Sequence, residues 1–236
     1  MRRGCRRAGG LNVARPCLLI VNGNTSAGLT DQLVTQTGSM APDCMISGCM
    51  ARFGAEIITT RSELAVAEHA VMDAIEHHGR GTDAVIIAVS FDVGVRAARE
   101  RLSVPVIGIT EASLKLAMTQ GQRIGVVAFG NRCVSIYRQL VQSYGVTRRV
   151  VGYVPVELPP AKVYAEPGVV DDIVTEAANQ LIRNNGADVV IVTGAAMTGI
   201  GKRLTPRLPV PLLDGLTSAA VLTASLARLH SKVRYR

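Results

Sequence analysis

Two stretches of the chain, 83–94 and 188–199, carry apolar and polar residues in the same order. Each starts with an aspartate, runs through consecutive apolar residues (84–88 or 189–192), and ends in a loop that contains glycine. An apolar run without polar alternation is typical of a strand buried on both faces, as in a parallel sheet. Both stretches are therefore predicted to be central strands of such a sheet.

The segments that follow the two stretches also match. Each copy continues with a basic segment, a short apolar segment with proline (104–107 or 210–213), and a helix of small residues. The repeated order indicates an internal duplication. The predicted fold is α/β, with two pseudo-symmetric half-domains of mostly parallel sheets flanked by helices. A ligand cleft would lie between 17–120 with 210–236 on one side and 121–209 on the other.

The remaining pattern completes the two sheets. Further strands are predicted at 18–22, 55–59, 123–129 and 150–156, and helices at 27–37, 63–78 and 169–184. Residues 38–54 are rich in Met and Cys and are predicted to be an irregular loop. Apolar positions at helical spacing on the 63–78 helix indicate one buried face.

Composition narrows the class of protein. The net charge is +8, but Arg2, Arg3, Arg6, Arg7 and Arg15 supply five of those charges within the first sixteen residues, which are predicted to be a disordered basic extension. No aromatic residues interleave with the other basic residues, which argues against nucleic acid. No apolar run is long enough for a membrane span. Five cysteines without metal-ligand spacing favour a reducing cytoplasm and predict no metal site.

The candidate ligand-binding residues follow the buried strands. Loops at the carboxyl ends of parallel strands share one edge, where α/β proteins bind ligands. The predicted binding residues are Asn24, Thr25, Ser26, Phe91, Phe129, Gly130, Asn131, Ala195, Ala196 and Met197, with Ser90 and Asp92 as candidate catalytic groups. Around Asn24–Ser26, free N–H groups at a helix start predict an anion pocket, although these residue types could also serve only as a helix cap.

Several motifs resemble the aspartate/glutamate/hydantoin racemase superfamily. The segment 21–26 is similar to that family's Asn-Pro-Asn-Thr-Ser opening, 104–112 to its proline-containing strand, and 92–100 and 194–199 to its two catalytic loops. The similarity runs from about residue 18 to 226, in the family's order, and is greatest to the hydantoin and allantoin racemase branch. It implies a cofactor-independent protein that acts on an amino acid, a hydantoin or a related small carboxylate or ureide.

The resemblance also implies a mechanism, in which two cysteines flank the substrate's α-carbon. One removes the α-proton as a thiolate and the other returns a proton to the opposite face. In an ungapped comparison, the two cysteine positions correspond to Val89 and Gly194, and neither side chain carries an exchangeable proton. Cys133 is the cysteine nearest in sequence to a predicted site loop.

Three functions stay open at this point. The first is a racemase or isomerase with altered acid and base groups. The second is a lyase similar to arylmalonate decarboxylase, and the third is a non-catalytic binder of a small carboxylate or ureide. A homo-oligomer is compatible with each of them.

Overall fold

The computed structural model describes residues 15–158 and 167–233. Within them the chain forms eight strands in two parallel sheets. The strands are β1 (Cys17–Asn22), β2 (Met45–Met50), β3 (Ala84–Ile87), β4 (Val106–Gly108), β5 (Ile124–Phe129), β6 (Val150–Val156), β7 (Val189–Val192) and β8 (Leu212–Asp214). Their order is β2-β1-β3-β4 in the first sheet and β6-β5-β7-β8 in the second.

Helices connect the strands, as parallel pairing requires. They are α1 (Ala27–Met40), α2 (Arg61–His78), α3 (Val95–Arg101), α4 (Ile109–Gln120), α5 (Val134–Ser143), α6 (Pro167–Asn185), α7 (Ile200–Leu204) and α8 (Gly215–Val233). Two of these helices begin at capping residues that are recognisable in the sequence. Ser26 caps α1, and Thr60 with Glu63 forms a capping box at α2.

The predicted duplication is confirmed by the equivalent topologies. In each sheet the strand of the repeated stretch, β3 or β7, lies between the first strand of its half and the proline-containing strand. All residues of β3 and β7 are buried. The aspartate before each strand binds the neighbouring strand: Asp83 accepts a hydrogen bond from the Cys17 amide (2.8 Å), and Asp188 accepts one from the Arg123 amide (2.8 Å).

The second strand was predicted in the wrong place. Residues 55–59 form no strand, and β2 lies inside the segment that was predicted to be an irregular loop. β2 is an edge strand in which only Cys49 is buried, so it lacks the apolar run that marks the central strands. The β-branched residues at 57–60 suggested a strand, but Ile57 is 47% exposed and lies in the link between β2 and α2.

The division into half-domains also needs correction. β8 pairs with β7, so residues 212–214 belong to the second sheet, although they were predicted to belong with the first half-domain. The following helix α8 does pack on the first sheet, through Leu216 and Ala219. In return α4, which follows the first sheet, packs through Leu114 and Ala117 on strands of the second. The two halves thus exchange helices, because each small-residue helix crosses to the other sheet.

Most of the predicted N-terminal extension, residues 1–14, lies outside the described residues. Its last two residues are placed against the fold. The Arg15 guanidinium donates to the Cys44 carbonyl at 2.8 Å, and the Pro16 carbonyl accepts from the Met45 amide at 2.8 Å. The extension was therefore predicted two residues too long.

Candidate active site between the two sheets

A cavity of about 630 Å³ lies where the carboxyl ends of the strands of both sheets meet. The segments after β1, β3, β5 and β7 all contribute to its wall. It is lined by Asn24, Ser26, Leu29, Glu56, Ile57, Ile58, Thr59, Ala88, Val89, Ser90, Phe91, Phe129, Gly130, Arg132, Cys133, Tyr137, Glu157, Leu158, Gly194, Ala195, Ala196 and Met197. The structure therefore brings together most of the residues that the sequence nominated.

Val89 and Gly194 both line the cavity. Val89 is 5% exposed, and its side chain extends over Gly23 so closely that a Cβ on Gly23 would lie 2.6 Å from Val89 Cγ2. Gly194 has φ 102°, a backbone conformation that residues with a side chain rarely adopt. The two positions thus present an aliphatic group and bare backbone to the cavity.

Asp92 was nominated as a catalytic group, but its carboxylate points away from the cavity and binds the start of α4. It accepts hydrogen bonds from the amides of Thr110 (3.0 Å) and Glu111 (2.7 Å) and from the Tyr144 hydroxyl (2.8 Å). Burial raises the pKa of Asp92 to about 7, although the three donors act in the opposite direction. Its observed role is to join the loop after β3 to two helices.

Two nominated binding residues are likewise used elsewhere. The Thr25 amide donates to the Ala55 carbonyl at 3.2 Å, and the Asn131 amide donates to a Glu157 carboxylate oxygen at 2.6 Å. Neither residue lines the cavity. Both sit in loops next to lining residues, and the sequence alone does not reveal which member of a loop turns inward.

At the predicted anion pocket, the amides of Asn24 and Ser26 donate to side chains of the same turn. The Asn24 amide donates to Asn22 Oδ1 (3.3 Å), and the Ser26 amide donates to Asn24 Oδ1 (3.0 Å). The Ser26 hydroxyl accepts from the Leu29 amide (3.4 Å), which is the helix-cap alternative. Ser26 therefore serves as the cap of α1, and an anion site at this helix start stays a prediction.

The side chains around the cavity make it mainly apolar. Arg132 is the one basic residue among its lining residues, and it is exposed, as are the two acidic ones, Glu56 and Glu157. Among the described lining residues, no cation is buried where it could pair with a substrate carboxylate. Within the described residues, no group of three His, Cys, Asp or Glu side chains is arranged to hold a metal ion.

Two further protic side chains lie in the wall. Cys133, which the sequence analysis singled out as the cysteine nearest to a site loop, directly precedes α5, and Tyr137, which it did not nominate, lies within α5. Cys133 is 3% exposed, and its thiol contacts the Thr59 carbonyl at 3.8 Å. Burial, with Glu157 and Glu63 nearby, raises the pKa of Cys133. Burial also raises the pKa of Tyr137. Both groups are therefore held in their protonated forms.

Comparison with known proteins agrees with this geometry. The family model described as Asp/Glu/Hydantoin racemase matches residues 18–223. The hydantoin racemase of Rhizobium meliloti is 31% identical over 62% of this chain and 61% of its own length, and that of Paenarthrobacter aurescens is 25% identical over 90% and 91%. The crystal structure of allantoin racemase from Pseudomonas fluorescens superposes with a TM-score of 0.86 at 30% identity, covering 90% of this chain and 91% of that one.

The fold and the site between two duplicated halves are those of a racemase-like protein. The chain belongs to the Asp/Glu/hydantoin racemase family, whose members act on small molecules. The resemblance drawn from the sequence is thereby confirmed. None of the described helices combines the length and the apolar character that crossing a membrane would require.

Proposed function

We propose that this protein binds a small, uncharged cyclic ureide with an apolar substituent and acts as an isomerase at its α-carbon. The observation that carries the proposal is the cavity wall itself. Apolar side chains such as Leu29, Phe129 and Met197 line it, and the one cation among its described lining residues, Arg132, is exposed. An uncharged ring avoids the large cost of burying an unpaired carboxylate.

The polar groups of the wall suit the edge of a ureide ring. Asn24, Thr59, Ser90 and Tyr137 provide amide and hydroxyl groups that can pair with ring N–H and C=O groups. Among the substrate classes that the sequence left open, a dicarboxylate fits less well. It would bring two negative charges near Glu56 and Glu157, and Arg132, the one basic residue among the described lining residues, is exposed.

Positions 89 and 194 carry no thiol, so proton transfer must use groups elsewhere around the cavity. The protic side chains around the cavity are Ser90, Cys133 and Tyr137, and Glu56 and Glu157 lie at its edge. The second candidate function, a non-catalytic binder, is favoured by the same observation, because neither Val89 nor Gly194 in the cavity wall carries a base. The two candidates share a ligand and differ only in whether the α-proton exchanges.

The test is deuterium exchange in heavy water, followed by proton NMR, with binding measured separately by calorimetry. The ligands are 5-benzylhydantoin, allantoin, phenylalanine, aspartate and phenylmalonate. Binding and exchange of a ureide support the isomerase, and binding without exchange supports the binder. Carbon dioxide release from phenylmalonate would favour the lyase instead. Binding of aspartate but of no ureide would contradict the proposed substrate class.

A matched pair of variants locates the site. Ala195→Leu adds bulk to the cavity wall and should weaken ureide binding at least about tenfold, since the ligand loses the space it occupies. Ala65→Leu makes the same change on the exposed face of α2 and should leave binding unchanged. Equal affinities in the two variants would place the ligand elsewhere.

We also propose a cytoplasmic location. Cys44, Cys49 and Cys133, three buried cysteines among the described residues, are free thiols. Free thiols are typical of proteins kept in a reducing compartment. Fractionation of cells that express the tagged protein would test this.

A further inference from the structure

Asp92 has an unusual backbone conformation beside the cavity. Among the described residues other than glycine, it alone has a positive φ, 50°, and it is buried. Such a conformation costs free energy and persists where the surrounding structure fixes it. Gly108 supplies the space, because a Cβ on Gly108 would lie 2.2 Å from Asp92 Cγ. The position of the Asp92 carboxylate is therefore set by the residues around it.

The carboxylate joins a segment of the cavity wall to the start of α4. It accepts from the amides of Thr110 (3.0 Å) and Glu111 (2.7 Å), and the Thr110 hydroxyl donates to the Ser90 carbonyl at 2.6 Å. Ser90 and Phe91 line the cavity. A movement of Asp92 relative to α4 would therefore move this part of the wall.

A third donor comes from the other half of the molecule. Tyr144, the residue that ends α5, donates through its hydroxyl to Asp92 Oδ2 at 2.8 Å. The helix α5 connects β5 to β6, whereas Asp92 follows β3, and these strands belong to different sheets. The neighbouring Phe91 also contacts α5, through the Tyr137 ring at 4.9 Å between centroids. Two consecutive residues of the first-half loop are thus held by tyrosines of the second half.

We propose that Tyr144 is a positioning residue for the ligand site, because its hydrogen bond to Asp92 holds the wall segment 89–91 in place against the second half. Tyr144 does not itself line the cavity, so it acts through Asp92. This inference deepens the proposed function and rests on it for the effect on a ligand. The contact and its effect on the loop can be tested without a ligand.

A proton on Asp92 would change the contact with Tyr144 in a particular way. The ionised carboxylate accepts from both amides and from the hydroxyl. A protonated carboxyl group must donate one hydrogen bond, and of the three partners only the Tyr144 hydroxyl can accept it, because a backbone N–H cannot. Protonation of Asp92 therefore reverses or breaks the hydrogen bond with Tyr144.

The other ionisable groups near this contact keep their charges when Tyr144 is replaced. Glu111 of α4 is buried and pairs with Arg99 at 2.5 Å and with Lys115 at 3.2 Å. Burial raises the pKa of Tyr137, so that hydroxyl is neutral. The pKa of Asp92 is raised mainly by burial and further by the Glu111 charge, whereas the Tyr144 hydroxyl lowers it.

The first measurement is the titration of Asp92, followed by carbon NMR of its carboxyl group. Tyr144→Phe keeps the ring but removes the donor, so it should raise the midpoint by at least about one pH unit, as expected for the loss of a hydrogen bond to a charged group. A role of Tyr144 in packing alone would leave the midpoint unchanged. The control is Tyr153→Phe, which removes a hydroxyl from β6 outside the cavity wall and should not shift the midpoint.

An unchanged midpoint in Tyr144→Phe, or an equal shift in Tyr153→Phe, would overturn the proposal. Should Tyr144→Phe fail to fold by circular dichroism, the wild-type protein carries the same test. Its Tyr144 Cζ signal should move at the midpoint of Asp92, because the proton reverses or breaks their hydrogen bond, and its Tyr153 Cζ signal should not. A Tyr144 signal that stays constant through this titration would contradict the contact.

The second measurement is amide hydrogen exchange in the ligand-free protein. The Asp92 amide donates to the Val89 carbonyl at 2.8 Å and reports on the first loop, and the Met197 amide donates to the Gly194 carbonyl at 2.9 Å and reports on the second. Tyr144→Phe should accelerate exchange at Asp92 about tenfold and leave Met197 unchanged. No acceleration at Asp92, or equal acceleration at both amides, would show that Tyr144 does not hold the first loop.

The third measurement is binding of 5-benzylhydantoin by calorimetry. Tyr144→Phe should weaken it by about two- to tenfold, since the wall segment is no longer held, and Tyr153→Phe should leave it unchanged. Because Tyr144 acts through Asp92, adding Tyr144→Phe to Asp92→Asn should weaken binding little further. Unchanged binding in Tyr144→Phe, or fully additive losses, would overturn the positioning role. A wild-type protein that binds no hydantoin would count against the proposed function, and the titration and exchange data would still decide whether Tyr144 holds the loop.

Discussion

The segments after β3 and β7 follow one backbone plan but differ in what anchors them. Each makes a turn in which the amide of the fourth residue binds the carbonyl of the first, at Val89–Asp92 (2.8 Å) and Gly194–Met197 (2.9 Å). Each then reaches a glycine with positive φ, 75° at Gly94 and 82° at Gly199, before a short helix. The duplication has thus kept the turn and the helix start in both halves.

The side chains on the two turns are different. The first turn anchors itself, because Asp92 binds α4 and Phe91 packs on Tyr137. The second turn carries Ala195 and Ala196, and the segment after it is held from outside by Asp214, whose carboxylate accepts from the amides of Gly199 (3.1 Å) and Gly201 (3.2 Å). Equivalent backbone turns are therefore stabilised by carboxylates from different positions in the sequence. Because Asp214 holds the segment after the second turn, that turn itself can present small residues to the cavity.

The largest expected effect concerns positions 89 and 194 in the cavity wall. Val89→Cys together with Gly194→Cys should raise α-proton exchange on a hydantoin at least about 100-fold above wild type, since acid–base groups typically contribute that much. Each single variant should gain little, because two faces of one carbon must be served. Deuterium incorporation measured by NMR provides the readout.

Gly194→Cys places a side chain on a backbone with φ 102°, so we expect it to cost roughly 1–3 kcal/mol of stability. Circular dichroism controls for this loss. If the double variant folds but shows no exchange, the two thiols are not sufficient to make this scaffold a two-base racemase.

The next effect tests whether the two anchors are equivalent. Asp92→Ala should lower the free energy of unfolding by about 3 kcal/mol, because it leaves two buried amides and a tyrosine hydroxyl without their acceptor. Asp214→Ala should cost a similar amount, since that carboxylate also binds Thr217 through its amide (2.9 Å) and hydroxyl (2.9 Å). Urea denaturation measures both. A loss below about 1 kcal/mol in either variant would show that its half is held in another way.

A smaller difference separates the two glycines. A Cβ at Gly94 would lie 2.9 Å from Val71 Cγ1, whereas a Cβ at Gly199 would meet nothing within 4 Å. Gly199→Ala should therefore cost only the backbone strain, about 1 kcal/mol, and Gly94→Ala about 2–3 kcal/mol, because overlap with Val71 adds to the strain. Thermal unfolding of the two variants measures the difference. Equal losses would show that α2 can move away from the loop.

The last expected effect concerns the pH dependence of stability. The pKa of Asp92 is raised in the folded protein to about 7, above its unfolded value near 4, so the folded state binds this proton more tightly. The stability that it contributes is complete below about pH 4 and is lost as the pH rises towards 7. The expected slope is a decrease of up to about 1.4 kcal/mol per pH unit in that window. Denaturation of Asp92→Asn should lack this component, and parallel wild-type and variant curves would argue against it.

Much of the fold was predictable because its central strands are buried on both faces. The runs at 84–88 and 189–192 leave no other interpretation of comparable quality, and their repetition predicted two facing halves. The edge strand β2 was missed for the opposite reason. Met45 is 46% exposed and Met50 is 39% exposed. A strand with one side in solvent lacks the continuous apolar run that would identify it in the sequence.

By itself, the sequence determined the duplicated strands, the loops that surround the cavity, and the absence of a thiol at positions 89 and 194. Only the tertiary structure decided which loop residues face inward, that Asp92 binds α4, and that Tyr137 from α5 packs on Phe91. The physical reason is distance along the chain. Tyr137 is 46 residues from Phe91 in the numbering, and Tyr144 is 52 from Asp92. Local propensity and periodicity act over a few residues, so contacts of this separation are set only when the two sheets and their exchanged helices pack together.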